Sequence, residues 1–327
     1  MRPLTIIGGG ITGLAAAYIA SKSGRKVRVI EGSPNFGGLL NTFPIGGTHL
    51  EYFYHHFFTH DAEILWLLRE LDLEKEIIWK KSTMGIFRNG QIYDFNSPFD
   101  LLKFRPLNFI QKIKFGLTSL YLSQWANWKE NEDISALDWF YKYAGKQVTE
   151  SIWKPLLEIK FGPYFNQVPL AWMIGRMRQR VNSRKSGTEY LGYLNGSLKV
   201  LLKRIIEDLN KRGVELVLNE PVECLLIDNQ LLRGVRTSKK EYLEGDFLFT
   251  IPTIYLSKLL EESAPKLSGQ LSKIEYFGAV CVILEMNKPL SKIYWLNVAD
   301  SDFPFGGIIE QTNLISPKNY NGKHIVY

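Results

Sequence analysis

Four histidines lie within twelve residues near the start of the chain and raise the question of a metal site. They are His49, His55, His56 and His60, and the last three fall in the stretch EYFYHHFFTHD. A zinc site needs three or four ligands around one point. Neighbouring residues of a strand point to opposite faces, so His55 and His56 are poorly placed to share an ion. We predict no metal here, and His55 and His56 become candidates for another role.

A second set of residues has the spacing of a phosphate-binding turn. Gly8, Gly10 and Gly13 form the pattern G-x-G-x-x-G, with Ile11 and Thr12 inside it. Such glycines allow a tight turn, a close approach of backbone to a pyrophosphate, and close packing of a helix on a strand. The first amides of the following helix contribute about half a positive charge. The motif therefore predicts a dinucleotide site.

The elements around the glycines agree with that prediction. An apolar strand at residues 4–7 precedes them, a helix follows to about residue 23, and residues 26–30 form a second strand. Glu31 ends this strand, and a carboxylate there can accept both ribose hydroxyls of an adenosine while repelling a 2′-phosphate. We predict a βαβ unit that binds a dinucleotide other than NADP.

The loop after Glu31, GSPNFGGLLNT, resembles the flavin-dependent amine oxidase superfamily. That group includes protoporphyrinogen oxidases, phytoene-desaturase-like enzymes and monoamine oxidases, with UDP-galactopyranose mutases as relatives. Gly37, Gly38 and Leu39 stand where its members usually have G-G-R, and Thr42 stands at their threonine. The resemblance implies FAD as cofactor, with this loop along its pyrophosphate.

Leu39 is a departure from the family pattern, because the usual arginine is missing. Arg2 or Lys26 would supply the cation, or the backbone alone would hold the phosphates. The resemblance also places His55 or His56 near the flavin and the substrate cavity, as a neutral imidazole that donates a hydrogen bond or shuttles a proton. Structural hydrogen bonding is the alternative role for this pair.

The resemblance covers nearly the whole chain and implies an α/β fold. The implied fold has a Rossmann-like FAD-binding domain and an inserted substrate domain, which is largely helical and also contains a β-sheet. Proline, tryptophan and basic residues rise after residue 97, and the pattern becomes helical. The predicted segments are the first part of the FAD-binding domain (1–95), the helical insert (96–189), the second part of the FAD-binding domain (190–262) and the substrate-domain strands (263–327).

Local patterns predict further elements. Val222 begins a strand, and the resemblance implies that its backbone pairs with the adenine; a plain strand residue is the alternative. The turn signal Asn89-Gly90 predicts a β-hairpin over residues 84–95. The remaining predictions are helices at 61–73 and 198–212 and strands at 214–218, 231–235, 246–252, 277–286 and 322–327.

Two basic segments leave alternatives open. In the first, Ile110, Ile113, Leu117 and Leu120 recur at heptad-like spacing among lysines and arginines. The segment 99–128 either contacts a membrane surface or packs against its own domain.

In the second segment, Arg176 and Arg180 share one face of a predicted helix, while Arg178 points elsewhere. This pair either attracts an acidic substrate, such as a porphyrin carboxylate or a nucleotide phosphate, or forms a solvated basic face.

Composition limits the binding partners and the cellular compartment that we expect. The net charge of +7 fits an acidic substrate, an anionic surface or simple solubility, and no nucleic-acid-binding motif is visible, so we expect no nucleic acid partner. Cys224 and Cys281 lie far apart in apolar runs and suggest a reducing compartment. We find no transmembrane run and no signal peptide. The expected location is cytoplasmic, or peripheral on the cytoplasmic face of the membrane.

The resulting functional hypothesis is an FAD-dependent oxidoreductase that takes a hydride to flavin N5 from a bulky, partly apolar small molecule. Its substrate would resemble a porphyrinogen or a polyene, or would be an amine. The alternatives are an FAD-dependent isomerase similar to nucleotide-sugar mutases and a non-catalytic flavin-binding relative. The glycine motif alone would also fit an NAD-dependent dehydrogenase. Because relatives continue past the equivalent of residue 327, we also expect a fragment that holds FAD weakly.

Overall fold

The structure is a computed structural model that describes residues 1–185, 187–243 and 245–327. Its strands, in chain order, are β1 (Leu4–Ile7), β2 (Val27–Ile30), β3 (Thr42–Ile45), β4 (Thr48–Glu51), β5 (Phe57–Phe58), β6 (Ile77–Lys81), β7 (Met84–Arg88), β8 (Gln91–Asp94), β9 (Arg184–Lys185), β10 (Thr188–Leu194), β11 (Glu215–Val217), β12 (Val222–Asp228), β13 (Leu231–Thr237), β14 (Glu241–Leu243), β15 (Asp246–Phe249), β16 (Leu284–Met286), β17 (Trp295–Val298), β18 (Gly307–Ile309) and β19 (His324–Val326).

Its α-helices, in chain order, are α1 (Ile11–Lys22), α2 (Ala62–Glu70), α3 (Pro98–Lys103), α4 (Phe109–Gln124), α5 (Ala136–Tyr143), α6 (Lys146–Val148), α7 (Lys154–Phe161), α8 (Leu170–Asn182), α9 (Lys199–Lys211), α10 (Thr253–Leu260) and α11 (Pro265–Leu271). Within the ranges that the structure describes, no helix is long and apolar enough to cross a membrane.

Contacts along the chain divide it into two compact units. The first unit consists of Met1–Phe53, Ala62–Ile77 and Leu194–Val280, and the second consists of Tyr54–Asp61, Ile78–Tyr193 and Cys281–Tyr327.

The first unit is built on a four-stranded parallel sheet with the order β11-β2-β1-β15. All four residues of β1 are buried, which is typical of parallel strands covered on both faces. Helices α1 and α9 pack against each other, and β12, β13 and β14 form an antiparallel meander. The sheet confirms the Rossmann-like fold and the predicted strands near residues 4, 27, 215 and 246.

Two helices of this unit follow their predictions closely. α9 lies within the predicted range 198–212, and Gly213 follows it at φ 73°. α2 is shorter than the predicted 61–73, because the chain turns at Asp72, which has φ 57°. A residue with this conformation does not continue a right-handed helix.

The second unit contains a helical body and a mixed sheet. Helices α3 to α8 surround an aromatic core in which the rings of Phe140 and Trp153 stack at 4.5 Å. The sheet has the order β18-β17-β7-β8. Its β7–β8 hairpin confirms the prediction, with Asn89 at φ 53° and Gly90 at φ 70°, as a type I′ turn requires.

The long strand predicted at residues 277–286 is wrong for most of its length. Only β16, its last three residues, is a strand, and it pairs with β19 over three residues. Val280 and Val282 are 97% and 65% exposed. An apolar run forms a strand only when a neighbouring strand pairs with its backbone, and residues 277–283 have no such partner within the described ranges. Cys281 therefore lies outside any strand.

Candidate functional site

The glycine turn has the geometry that its spacing predicted. Gly8 has φ 112°, a conformation that favours glycine, and it links β1 to α1. A Cβ on Gly13 would overlap the carbonyl oxygen of Gly8, so only glycine lets α1 approach the strand this closely. Gly10 caps α1, and a Cβ there would meet no atom of the described residues within 4 Å. The space beside Gly10, ahead of Ile11 and Thr12, is therefore open.

Glu31 lies at the end of β2 and reaches back to the turn. Its Oε2 accepts a hydrogen bond from the Gly9 amide at 2.7 Å, and its Oε1 accepts one from the Ser33 amide at 2.8 Å. A carboxylate can accept about four hydrogen bonds, so both oxygens keep the capacity to bind ribose hydroxyls. The structure thus places the predicted acidic residue against the glycine turn.

The second glycine loop packs directly on the first. The Gly37 amide donates to the Gly9 carbonyl at 2.8 Å, and Gly37 and Gly38 have φ 131° and 56°. A Cβ on Gly38 would lie 3.2 Å from the Gly10 Cα. Two loops separated by about thirty residues in sequence therefore form one backbone-lined surface around Gly10.

The departure at Leu39 leaves this surface without the family's arginine. Leu39 is 80% exposed. Arg2, one candidate substitute, is engaged elsewhere: it donates to the Gly245 carbonyl at 2.8 Å and pairs with Asp246 at 3.6 Å. Phosphate binding would then rest on backbone amides and the α1 N-terminus.

Thr42 begins β3 and lies on a cleft of about 640 Å³. Its hydroxyl is buried and has no hydrogen-bond partner among the described residues. Asn35, Asn41 and Lys203 also line this cleft, which therefore offers polar groups next to the second glycine loop. An unpaired buried hydroxyl is costly, so a ligand that pairs with it would be stabilised.

Val222 is held close to the end of β2. The amide of Glu220 donates to the Glu31 carbonyl at 3.1 Å, and Val222 then begins β12 opposite Thr237. Glu220 is itself buried and accepts from the Thr237 hydroxyl at 2.6 Å. The start of β12 is thereby fixed beside the acidic residue.

The four histidines are divided between the two units. His49 lies opposite Pro44 in the β3–β4 hairpin of the first unit, while His55, His56 and His60 belong to the second unit. Across the described ranges, no group of three or more His, Cys, Asp or Glu side chains could hold a metal ion.

His56 lies in an aromatic environment in the second unit. Its ring meets those of Phe58, Tyr294 and Trp295 edge-on at 5.1, 5.9 and 6.0 Å, and its Nδ1 lies 3.2 Å from the Tyr294 hydroxyl. Burial, with Arg180 and Arg176 nearby, lowers the pKa of His56 to about 3. The imidazole is therefore neutral at physiological pH. His55 is half-buried beside it.

Arg180 and Arg176 are half-buried, so their face of α8 is not the solvated surface that one interpretation predicted. Arg180 pairs with the buried carboxylate of Glu189 at 3.1 Å, and its guanidinium lies 5.4 Å from the ring centre of Trp295. Burial and the nearby Arg180 lower the pKa of Arg176. Arg178 does point elsewhere and donates to the Ala126 carbonyl.

A third cation, which sequence reasoning missed, belongs to the same group. Lys160 on α7 lies 5.8 Å from the ring centre of Trp172, and Arg176 lies 6.0 Å from the same ring. Desolvation of the ammonium, with Arg176 and Arg180 nearby, lowers the pKa of Lys160 although much of its side chain stays exposed. No sequence signal links position 160 to the arginines.

Tyr54 completes this set, which we call the cationic–aromatic cluster: Tyr54, His56, Lys160, Trp172, Arg176, Arg180, Tyr294 and Trp295. The Tyr54 ring meets Trp295 edge-on at 5.0 Å. Burial raises the pKa of Tyr54, while Arg176 and Arg180 act in the opposite direction. The cluster combines three positive charges with flat apolar surfaces.

The chain is similar in sequence and in fold to known proteins. The family described as flavin containing amine oxidoreductases matches residues 11–324. A coproporphyrinogen III oxidase of Propionibacterium freudenreichii subsp. freudenreichii is 37% identical over 75 residues, which are 23% of this chain and 14% of that protein. The solved structure of a candidate protoporphyrinogen oxidase from Exiguobacterium sp. 255-15 is similar with a TM-score of 0.72 at 18% identity, over 99% of this chain and 76% of that chain. The structure of reduced UDP-galactopyranose mutase is similar with a TM-score of 0.72 at 16% identity, over 100% of this chain and 73% of that chain.

Proposed function

The chain belongs to the flavin-containing amine oxidoreductase family, and we propose that it oxidises a bulky, partly apolar substrate that carries carboxylate groups, of the porphyrinogen type. FAD is the cofactor of this oxidoreductase. The observation that supports this substrate class is the cationic–aromatic cluster, in which Lys160 and Arg176 lie near the Trp172 ring and Arg180 lies near the Trp295 ring.

The FAD site that we propose lies in the first unit. The open space at Gly10, the α1 N-terminus and the second glycine loop fit a pyrophosphate, and the unpaired Thr42 hydroxyl fits a further polar contact. Glu31 would accept the ribose hydroxyls and Val222 would pair with the adenine. The full set is Gly8, Gly10, Ile11, Thr12, Gly13, Glu31, Gly37, Gly38, Leu39, Thr42 and Val222.

The division predicted from the sequence assigns FAD binding to segments 1–95 and 190–262 and substrate binding to segments 96–189 and 263–327. Tyr54 and His56 of the cluster are exceptions, because they fall within 1–95 but belong to the second unit. Bound FAD supplies hydride acceptance at its N5 atom. The protein's own part is to bind and orient the substrate and to exclude water around the reacting bond.

His56 would contribute a hydrogen bond from a neutral ring. With a pKa of about 3, the imidazole takes up a proton only rarely at neutral pH, so it is a weak base there. Its bond to Tyr294 fixes its orientation within the cluster. His56 therefore suits substrate positioning better than proton transfer, and His55 remains the second candidate of the pair.

The charge of the cluster discriminates between the substrate classes. Arg180 has Glu189 as its counter-ion, and Lys160 and Arg176 add two partly desolvated cations that repel a protonated amine and attract carboxylates. A polyene carries no charge, so it would make no ionic interaction with Lys160 and Arg176. A porphyrinogen carries carboxylates on a large apolar body, which suits both the cations and the tryptophan rings.

A second candidate function is a mutase-like isomerisation of a nucleotide sugar. The same cations could bind a diphosphate, and the fold similarity to UDP-galactopyranose mutase adds weight to this candidate. A non-catalytic flavin-binding role would not explain why partly buried cations and aromatic rings lie together in the cationic–aromatic cluster.

A ligand panel tests the proposal on the FAD-loaded protein. Protoporphyrin IX, UDP and a primary alkyl amine are titrated separately while the flavin absorption spectrum and the melting temperature are followed. The proposal predicts binding and stabilisation by the porphyrin only. Stabilisation by UDP without any porphyrin response would favour the isomerase, and a response to the amine alone would contradict the assigned role of the cluster.

A further inference from the structure

Two short segments that lie far apart in sequence meet beside the proposed adenosine end of the FAD site. One is 31–33, which begins with Glu31 after β2, and the other is 217–222, which runs from the last residue of β11 to Val222 at the start of β12. We call them the ribose segment and the adenine segment, after the contacts proposed above. Three backbone hydrogen bonds join them: Glu31 donates to Val217 at 2.9 Å, Asn219 to Ser33 at 3.1 Å and Glu220 to Glu31 at 3.1 Å. The distance between Glu31 and Val222 is therefore set within this pair of segments.

Val222 lies at an irregular point of its strand ladder. It is opposite Thr237, whereas the next pair joins Cys224 to Arg236, so Glu223 is an extra residue. Such a bulge interrupts the regular pairing and bends the strand. The ladder alone therefore does not fix Val222, and its position depends on contacts of the residues just before it.

The side chain of Glu220, two residues before Val222, supplies such contacts. Glu220 is buried, and its Oε1 accepts hydrogen bonds from the Thr237 hydroxyl at 2.6 Å and the Tyr242 hydroxyl at 2.8 Å. Its Oε2 lies 3.8 Å from the Lys239 ammonium. A carboxylate is costly to bury unless hydrogen bonds and a counter-ion compensate for the lost hydration, and Glu220 has both. Because Thr237 is also the ladder partner of Val222, the carboxylate joins the adenine segment to β13 at the bulge.

Tyr242 on β14 is itself held by two cations and a second carboxylate. The Arg28 guanidinium and the Lys240 ammonium lie 4.5 Å and 4.6 Å from the centre of its buried ring. Both cations pair with Glu215, Arg28 at 2.6 Å and Lys240 at 3.6 Å. Cations near an aromatic ring are attracted by its quadrupole. Since Arg28 belongs to β2 and Glu215 to β11, Tyr242 ties the meander to the parallel sheet.

We propose that Glu220 is a positioning residue for the adenosine of FAD, and that it acts by holding Val222 at a fixed distance from Glu31. The inference rests on the FAD site proposed above, in which Val222 pairs with the adenine. The carboxylate of Glu220 is buried and engaged by the protein, so it acts through Val222 and not by contact with FAD.

The preference for FAD over FMN should report this role. FAD is FMN joined through a second phosphate to adenosine, so FMN cannot use the contacts of the adenine segment. A residue that positions these contacts changes the affinity for FAD and leaves the affinity for FMN as it is. A network that only supports folding would weaken the binding of both flavins alike.

Titration of the full chain without FAD tests the inference. Fluorescence gives the dissociation constants of FAD and of FMN separately. Tyr242→Phe removes one hydrogen bond to the Glu220 carboxylate and should raise the dissociation constant of FAD about fivefold. Glu220→Ala removes the carboxylate and should raise it about tenfold. The dissociation constant of FMN should stay unchanged in both variants, and circular dichroism shows whether each variant is folded.

Tyr18→Phe is the matched control. Tyr18 belongs to the same unit and is 2% exposed, against 3% for Tyr242. Its hydroxyl likewise donates to a carboxylate, that of Glu70 at 3.0 Å, and its ring likewise lies near a cation, the Arg212 guanidinium at 4.9 Å. Urea denaturation without FAD should show a similar loss of stability in Tyr18→Phe and Tyr242→Phe, while only Tyr242→Phe binds FAD more weakly.

Three results would overturn the inference. The first is an unchanged affinity for FAD in both Tyr242→Phe and Glu220→Ala, and the second is an equal loss of affinity for FAD and FMN. The third is an unchanged protein that binds FAD no more tightly than FMN, which would also remove the adenosine end of the proposed FAD site. None of these results bears on the substrate class, which the porphyrin titration tests separately.

Discussion

The Nδ1 atom of His56 lies 3.2 Å from the hydroxyl oxygen of Tyr294, which is almost completely buried. The two residues are 238 positions apart in sequence. His56 lies in the loop between β4 and β5, and Tyr294 immediately precedes β17. Because burial and the nearby Arg180 lower the pKa of His56 to about 3, its imidazole is neutral at physiological pH. A neutral, fixed hydrogen bond inside a cationic–aromatic cluster is suited to orienting a substrate.

The pH dependence of stability should report this histidine. In the unfolded chain the imidazole titrates near 6.5, whereas in the folded protein it stays neutral down to about pH 3. The unfolded state therefore binds more protons between these values, and the free energy of unfolding should fall by about 1 kcal/mol per pH unit below 6.5. His56→Asn should flatten this slope, and His55→Asn serves as the control. Urea denaturation at pH 7.5, 6.0 and 5.0 measures how the free energy of unfolding changes with pH. An equal pH dependence in the unchanged protein, His56→Asn and His55→Asn would contradict the lowered pKa of His56.

Two glycine variants should separate cofactor binding from folding. Gly10→Ala places a methyl group in open space at φ −70°, so the protein without FAD should lose no more than about 1 kcal/mol. Its affinity for FAD should fall at least about fivefold, because the methyl group occupies the phosphate surface.

Gly13→Ala should do the opposite, because its methyl group overlaps the Gly8 carbonyl oxygen. We expect a loss of about 2 kcal/mol or more in the protein without FAD. Melting temperatures without FAD and fluorescence titration with FAD give both quantities. Equal affinities of Gly10→Ala and the unchanged protein would remove Gly10 from the site.

Cations of the cluster should determine affinity for an acidic ligand. Lys160→Met and Arg176→Met should each weaken binding of protoporphyrin IX about five- to tenfold, since each removes an interaction with a carboxylate. Lys142→Met is the matched control, because Lys142 also lies against an aromatic ring, at 5.1 Å from Tyr143, outside the cluster. Isothermal titration of the FAD-loaded variants measures the change. Unchanged affinity in both cluster variants would show that the ligand binds elsewhere.

Arg180 should contribute to the stability of the fold as well as to the positive charge of the cluster. Its partner Glu189 is 8% exposed and also accepts from the Ser183 hydroxyl at 3.0 Å. Arg180→Met leaves this carboxylate without its counter-ion, so the free energy of unfolding should fall by about 2–3 kcal/mol. Adding Glu189→Gln to the Arg180→Met variant should restore at least about 1 kcal/mol of the lost free energy of unfolding, because the unpaired carboxylate is removed. Urea denaturation of the two single variants and the double variant measures this coupling, and strictly additive effects would rule out the pairing.

Features that depend on local sequence were predictable. The β1–α1–β2 unit follows from glycine spacing and a short apolar strand on each side, and the turn at Asn89-Gly90 follows from the φ preferences of those two residues. The family resemblance predicted a role for the Gly37-Gly38 loop in binding the pyrophosphate, whereas the hydrogen bond from Gly37 to Gly9 was not predicted and is a finding of the structure.

Features that depend on distant contacts were not predictable. Residues 277–283 form an apolar run that is typical of a buried strand, but among the described residues they lack the neighbouring strand that would pair with them. The partial burial of Arg176 and Arg180 and the presence of Lys160 in their cluster are set by tertiary packing, which hydrophobic periodicity does not encode. The same holds for the exposed apolar residues of α4, which are Ile110, Ile113, Leu117 and Leu120. His56 and Tyr294 likewise meet only in the folded chain.

Anaerobic mixing of the FAD-loaded protein with a porphyrinogen tests the central claim most directly. The visible absorption band of oxidised flavin is followed after addition of protoporphyrinogen IX, with a primary amine and a UDP-sugar in parallel. We predict that the porphyrinogen bleaches the band and is converted to a more oxidised product, while the amine and the UDP-sugar leave the band unchanged. A band that persists with the porphyrinogen, or that bleaches only with the amine, would contradict the proposed function.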